Sequence, residues 1–228
     1  MDFIFDSFRT SISLILSLDT EVYHAVWTSL IVSVMSVVFA SALGIPFGLI
    51  LAVAKFPMKR LAIVALNTMM ALPTVVVGLV ICGLISRQGP LGQLGLLFSP
   101  IAIIIGLTIL ALPIITNYTL SSIKGADGRI VPTAMTLGAG RFQSYSMLLS
   151  EVRFGILAAV IAGFGRVIGE VGVAMMLGGN IRGYTRTMTT AIALETSKGE
   201  FAFGLALGII LMAVALVVNL FLNIVQQK

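Results

Sequence analysis

The feature that most constrains this chain is a series of long stretches that carry no charge. Between Glu21 and Lys55 there is no Asp, Glu, Lys or Arg, and the same is true of residues 61–86 and 88–123. Residues 154–177 are apolar except for Arg166 and Glu170, and residues 201–225 form a last apolar run. A charge in hydrocarbon is costly, so such runs are where a chain can cross a bilayer. A spanning helix takes about 20 residues, and the pattern predicts five of them: 22–54, 61–86, 94–120, 154–177 and 201–225. The first run is longer than a crossing requires and is expected to tilt or to extend into the interface. Composition agrees: 58% of the 228 residues are hydrophobic, 10% are charged and the mean hydropathy is +1.11. A water-soluble fold of this size could not hide so much apolar surface. The expected class is an all-α integral membrane protein in the cytoplasmic membrane, with the lipid bilayer as its main partner.

Several functions are excluded at this level. Cys82 and His24 are single residues of their types, which removes a disulfide framework and a metal cluster. The net charge is +5, but the basic residues are scattered between apolar runs rather than gathered as a nucleic-acid patch. No G-x-x-x-x-G-K-[ST] loop is present to cradle ATP. No arrangement suggests an enzyme, so the chain is expected to bind no cofactor or metal itself.

The N-terminus differs from the rest. Asp2 and Asp6 stand where a secretory signal would carry Lys or Arg. Ile4, Phe8, Ile12 and Leu16 repeat every four positions, with Asp2, Asp6, Arg9 and Ser13 off that stripe. Residues 1–20 therefore read either as an amphipathic helix in the membrane surface or as a short, poorly ordered terminus. Residues 21–228 form the transmembrane domain.

Loop charges give an orientation. Lys55, Lys59, Arg60, Lys124, Arg129, Arg141, Arg153 and Lys228 fall on one side, against Arg9, Arg87, Arg182, Arg186 and Lys198 on the other. The richer side is expected to be cytoplasmic, placing the N-terminus outside and the C-terminus inside. The pairs Gly44/Gly48, Gly165/Gly169 and Gly204/Gly208 have the spacing that lets helices approach closely in lipid. Pro46, Pro73 and Pro113 lie in or near the first three spans, where proline can kink a helix.

The cytoplasmic stretch of about 124–153 is longer than a plain connection needs. Asp127 can cap a helix and Pro132 suits a first turn. Gly138 and Gly140 interrupt the segment, and a second short helix fits Arg141–Glu151. The segment reads as two short helices displayed to the cytoplasm, or as a solvated connector.

These residues also carry a resemblance. Pro132-Thr133-Ala134-Met135-Thr136-Leu137-Gly138-Ala139 resembles the cytoplasmic loop of ABC-importer permeases, with Ala134 on the second alanine of that pattern and Gly138 on its glycine. It departs at Pro132, where the pattern has Glu, at Thr133, where it has Ala, and at Ser150-Glu151, where it has Leu-Pro. Ala71-Leu72-Pro73-Thr74-Val75-Val76-Val77-Gly78-Leu79 and Gly89-Pro90-Leu91-Gly92 resemble molybdate- and tungstate-type permeases. The runs Gly165-Arg166-Val167-Ile168-Gly169-Glu170-Val171-Gly172 and Gly178-Gly179-Asn180-Ile181-Arg182-Gly183-Tyr184-Thr185-Arg186-Thr187 are similar to the oxyanion permeases, and most similar to their tungstate branch.

The resemblance implies a type I importer (MetI-like) permease fold working as a homodimer, with the pathway between two copies. It implies ABC ATPase subunits that bind ATP and Mg, and an extracytoplasmic tungstate-binding protein that delivers the anion. The loop residues Pro132, Thr133, Ala134, Leu137, Gly138, Ala139 and Arg141 would dock in a cleft of the ATPase and act as a lever for alternating access. Molybdate and sulfate are the neighbouring cargoes.

Two polar groups need a function. Arg166 and Glu170 are four residues apart and can pair on one helix face; they either flank an anion path or form a structural ion pair. Asn180, Arg182, Tyr184, Thr185, Arg186 and Thr187 suit a passing oxyanion, the docking of an acidic binding protein, or a purely structural role. Thr74, Thr108 and Thr116 can line a path or bond their own helix backbone. A self-contained secondary carrier is the competing class, since a charged pair within a span can relay protons. No inverted repeat is visible to support it.

Overall fold

The computed structural model describes residues 2–226; Lys228, counted above on the cytoplasmic side, lies outside the described residues. Eleven helices follow one another among them: α1 (Asp2–Leu16), α2 (Thr20–Val53), α3 (Lys59–Met70), α4 (Thr74–Ile85), α5 (Pro100–Gly125), α6 (Ile130–Thr136), α7 (Arg141–Glu151), α8 (Arg153–Ile168), α9 (Gly172–Gly178), α10 (Met188–Lys198) and α11 (Phe201–Gln226). Three are long and apolar enough to cross a membrane alone: α2, α5 and α11. The bent pairs α3–α4 and α7–α8 raise the number of candidate spans to five.

The long apolar helix α5 is the centre of the bundle. Ser99 caps it, its Oγ accepting from Ala102 N–H at 3.3 Å, and Pro100 occupies the first turn, where its missing N–H costs nothing. Ala102, Ile103, Leu107, Leu110, Ala111 and Ile115 are buried along α5 against α2, α8 and α9. α2 starts at Asp19, whose carboxylate accepts from the N–H groups of Glu21 and Val22. Its 34 residues reach about 51 Å, against a hydrocarbon core of about 30 Å. Of the glycine pairs, Gly44 and Gly48 set the crossing of α2 and α5. A Cβ on Gly48 would stand 2.8 Å from Thr119 Cβ and 2.9 Å from the Thr116 carbonyl oxygen. Gly204 lies close to Thr196, whereas Gly165, Gly169 and Gly208 have open space beside them.

The second predicted span is not one helix. α3 and α4 meet at 99°, broken at Ala71-Leu72-Pro73. Proline has no N–H to continue a helix and disfavours the helical conformation in the residue before it. The fourth run is also divided. α8 ends at Ile168 and α9 begins at Gly172, so Arg166 lies in the last turn of α8 and Glu170 in the break that follows it. Gly169 and Gly172 are poor helix formers, and the Glu170 side chain takes up the N–H groups that α9 leaves free.

At the N-terminus, α1 packs on α11; Ser7 and Ser11 are buried, while Ile4, Phe8, Ile12 and Leu16 are exposed. Within residues 124–153 both short helices form. Asp127 closes a turn rather than capping a helix: its carboxylate accepts from Arg129 N–H at 2.9 Å and pairs with the Arg129 guanidinium at 2.8 Å. Arg129 takes the cap position of α6, and Pro132 sits third in that helix. α10 follows the polar residues 180–187, in sequence that belongs to none of the five predicted spans.

Candidate functional site

Three groups of residues stand out by geometry. The first is the break between α8 and α9. Arg166, in the last turn of α8, donates from Nη1 to Glu170 Oε2 at 2.7 Å. Glu170 Oε1 accepts from Gly172 N–H at 3.0 Å and Val173 N–H at 3.4 Å, capping α9. A carboxylate at a helix N-terminus and a cation at a helix C-terminus each oppose the local dipole. Thr189 in α10 donates to the Glu170 carbonyl oxygen at 2.8 Å, fixing the same turn from a third element. The Glu170 side chain is 5% exposed and the Arg166 side chain 38%, so the pair has one buried end and one open end. Across from it, Thr74 at the start of α4 approaches Gly172.

The second group is the segment 178–198. Asn180 adopts a left-handed backbone (φ +51°), its Oδ1 accepts from Thr190 Oγ1 at 3.0 Å and its Nδ2 donates to the Thr190 carbonyl. Thr185 donates to the Gly178 carbonyl and accepts from Ile181 N–H. Thr187 caps α10 and exchanges bonds with Thr190. Met188 N–H reaches Ser29 Oγ in α2 at 2.6 Å. Arg186 is buried and pairs with Glu195 at 3.0 Å, an acceptor shared with Lys198 at 3.2 Å and Arg182 at 3.8 Å. Burial alone would raise the Glu195 carboxyl. The hydrogen bond from Lys198 and the charges of Lys198, Arg186 and Arg182 outweigh it and hold the group below the ordinary carboxylate range. Asn180, Thr185, Arg186 and Thr187 are thus engaged within the fold. Arg182 differs: it is exposed, bridges to Glu21 at 3.2 Å and borders a cleft with Thr20, His24 and Gly183.

The third group is the tip between α6 and α7. Gly138 has φ +91°, a backbone that L side chains rarely adopt. Ala134 is buried where its carbonyl accepts from Ala139 N–H at 3.0 Å. Pro132, Thr133 and Arg141 are exposed, and Ala139 is half-buried. Leu137 is 83% exposed and Phe142 86%, two large apolar side chains on either side of Gly138. Such a display on a short loop suits a protein cleft.

The candidate path threonines divide in the same way. Thr108 donates to the Ile104 carbonyl and Thr116 to the Leu112 carbonyl, each at 2.7 Å, so both bond their own helix. The polar cavity inside the chain, bordered by Ser29, Ser33, Glu170, Thr187 and Thr189, measures about 10 Å³. It has room for about one water molecule and none for a tetrahedral oxyanion. No cluster of metal-binding side chains occurs among the described residues.

Glu195, Thr189, Thr190, Ser29 and Phe142 were missed by reasoning from sequence. Glu195 carried one local signal, Lys198 three residues on in a helix. Ser29 carried none, because its partner Met188 is distant in the chain.

Comparison with known proteins adds to this geometry. Residues 44–228 match the family model described as "Binding-protein-dependent transport system inner membrane component". The chain is 36% identical to the tungstate uptake system permease protein TupB of Peptoclostridium acidaminophilum over 228 residues, covering 100% of both chains. It is 40% identical to TupB of Campylobacter jejuni over 219 residues, 96% of this chain and 92% of that one. Among solved structures, a MetNI methionine ABC transporter in inward-facing conformations matches with a TM-score of 0.76 at 17% identity, covering 92% of this chain and 96% of that one.

Proposed function

The chain belongs to the family of binding-protein-dependent transport system inner membrane components, and from that membership we propose that it is the membrane-spanning subunit of an importer that carries tungstate across the cytoplasmic membrane. The observation that carries the choice of cargo is full-length likeness to tungstate uptake permeases. The chain has the ABC-importer permease fold and is a transport subunit.

The remaining parts of the machine follow from what this chain lacks and displays. It has no phosphate-binding loop for ATP, so ATP and Mg belong to partner ATPase subunits. Leu137 and Phe142, held on either side of Gly138, are the apolar contacts for an ATPase cleft. Arg182, exposed beside the cleft of Thr20 and His24, is the contact offered to an acidic rim on an extracytoplasmic binding protein. This assignment places the N-terminus outside and the C-terminus inside, in keeping with the basic excess on the α6–α7 side.

The polar cavity beside Glu170 is too small for an oxyanion, which supports a pathway between two copies. Gly165 and Gly169 leave open surface beside Arg166, and no residue of α3 is buried. Small residues of this kind let a second copy approach closely in lipid. The half-exposed Arg166 then attracts the dianion to the path. Glu170 neutralises part of its charge, so that a passing anion is not trapped. ATP-driven closure of the ATPases moves α6 and α7, and the helices exchange between outward- and inward-facing arrangements.

The test is ATP hydrolysis by the assembled complex with its binding protein. Tungstate should stimulate hydrolysis at lower concentration than molybdate or sulfate. Hydrolysis stimulated only by sulfate would overturn the choice of cargo, and a purified chain that transports without any ATPase would make it a secondary carrier.

A further inference from the structure

An amide pair lies where α3 meets α5. Asn117 Nδ2 donates to Asn67 Oδ1 at 2.7 Å and to Met70 Sδ at 3.1 Å. This uses both donor hydrogens of Asn117 and leaves the Asn67 amide NH2 with no partner among the described residues. Asn67 is exposed and Asn117 half-buried. If either amide is turned over, the pair still retains free N–H donors, because two amides hold four and the contacts consume two.

The depth of this pair makes it informative. α5 is one of the three helices long enough to cross alone, and Asn117 lies eight residues before its end at Gly125. At 1.5 Å per residue that is about 12 Å from the helix end, inside the hydrocarbon zone. Asn67 shares that level because the two side chains touch. Unsatisfied amide donors do not face lipid at such a depth; polar groups there face a protein partner or a water-filled path. Asn67 is not needed to pack its own chain, since no residue of α3 is buried.

We propose that Asn67 and Asn117 form an uncharged hydrogen-bonding station for the oxyanion in the cytoplasmic half of the translocation path. This rests on the importer reading above. Arg166 lies 13 residues along α8 from Arg153, about 20 Å from that helix's cytoplasmic end, so the two stations occupy different depths. Their chemistry also differs. Arg166 supplies charge to draw a dianion inward, while the amides supply neutral N–H donors that replace part of its hydration and then let it go. A path must bind weakly enough at each site for release, and neutral donors near the exit meet that need better than a second fixed cation.

The test uses the assembled complex with its ATPase, in a Cys82→Ala background so that an introduced cysteine is the only thiol of this chain. Asn67→Cys and Asn117→Cys are expected to react with a water-soluble, negatively charged thiol reagent, and tungstate is expected to slow that reaction several-fold. Asn67→Asp, nearly the same shape but anionic, is expected to lower tungstate uptake at least tenfold while assembly is kept. Labelling only by a lipid-soluble maleimide would place the pair against lipid and overturn the proposal, as would Asn67→Asp with unchanged uptake. If the Asp variant does not assemble, the cysteine reactivities decide. Should the parent complex carry molybdate or sulfate but not tungstate, the cargo reading fails, and protection of the cysteines by the transported anion still tests the station.

Discussion

Glu170, in the break that separates α8 from α9, accepts on Oε2 a hydrogen bond from Arg166 Nη1 at 2.7 Å. The other carboxylate oxygen caps α9 through Gly172 N–H. One side chain therefore fixes the end of one helix, the start of the next and the position of the half-exposed cation. Glu170→Ala removes all three bonds and is expected to cost about 2–3 kcal/mol, less than a fully buried pair because Arg166 reaches solvent. Glu170→Gln keeps an acceptor for the cap and should cost about 1 kcal/mol. Thermal unfolding of the purified chain in detergent measures the order, and equal losses for the two variants would show that the cap does not matter.

Glu195 makes stability depend on pH. Its carboxyl titrates below the ordinary range when folded, so the folded state binds fewer protons than the unfolded one at acid pH. The stabilisation is complete above the ordinary value of about 4.3 and is lost as pH falls from there through the folded value. The midpoint of thermal unfolding should drop on acidification over that window, and Glu195→Gln should flatten the drop. An unchanged slope in the variant would assign the acid sensitivity elsewhere.

The crossing of α2 and α5 leaves no room at Gly48. Gly48→Ala is expected to destabilise by about 1–3 kcal/mol, the range for overpacking a tight contact. Gly165→Leu meets open space within the chain and should leave its unfolding unchanged while weakening association of two copies. Unfolding and cross-linking measured on both variants separate the two effects. A Gly165→Leu protein that dimerises normally would remove that face from the interface.

Gly138 holds the tip between α6 and α7 at φ +91°. Gly138→Val forces a branched side chain into a backbone that costs about 1–2 kcal/mol or more, reshaping the turn between Leu137 and Phe142. Membrane insertion should persist while ATPase binding falls at least tenfold. Co-purification with the ATPase reads this directly, and normal assembly would argue against docking through this loop.

How much could be read from sequence varied with how local the cause was. The apolar runs gave α2, α5 and α11 directly, because span length is fixed by bilayer thickness and by composition. The two short helices around Gly138 follow in part from Pro132 and the glycines, although Asp127 closes a turn instead of capping α6. The breaks in α3–α4 and α8–α9 did not show in hydropathy, since an apolar run reads the same whether its helix is continuous or bent. Pro73 marked the first break, but only the 99° turn distinguishes a break from a kink. The Arg166–Glu170 spacing predicts their ion pair, which forms; that Glu170 lies past the end of α8 and caps α9 is not legible in the spacing. α10 has a local cap in Thr187 and Thr190, whereas the bond from Met188 N–H to Ser29 that fastens it joins distant parts of the chain and no local pattern reveals it.

The most direct measurement is tungstate uptake into proteoliposomes that hold this chain, its ATPase and its binding protein. The account predicts ATP-dependent accumulation of tungstate that is lost when the binding protein is left out and strongly reduced by Asn67→Asp. Hydrolysis of ATP with no tungstate accumulated, under conditions where molybdate or sulfate is taken up, would contradict it.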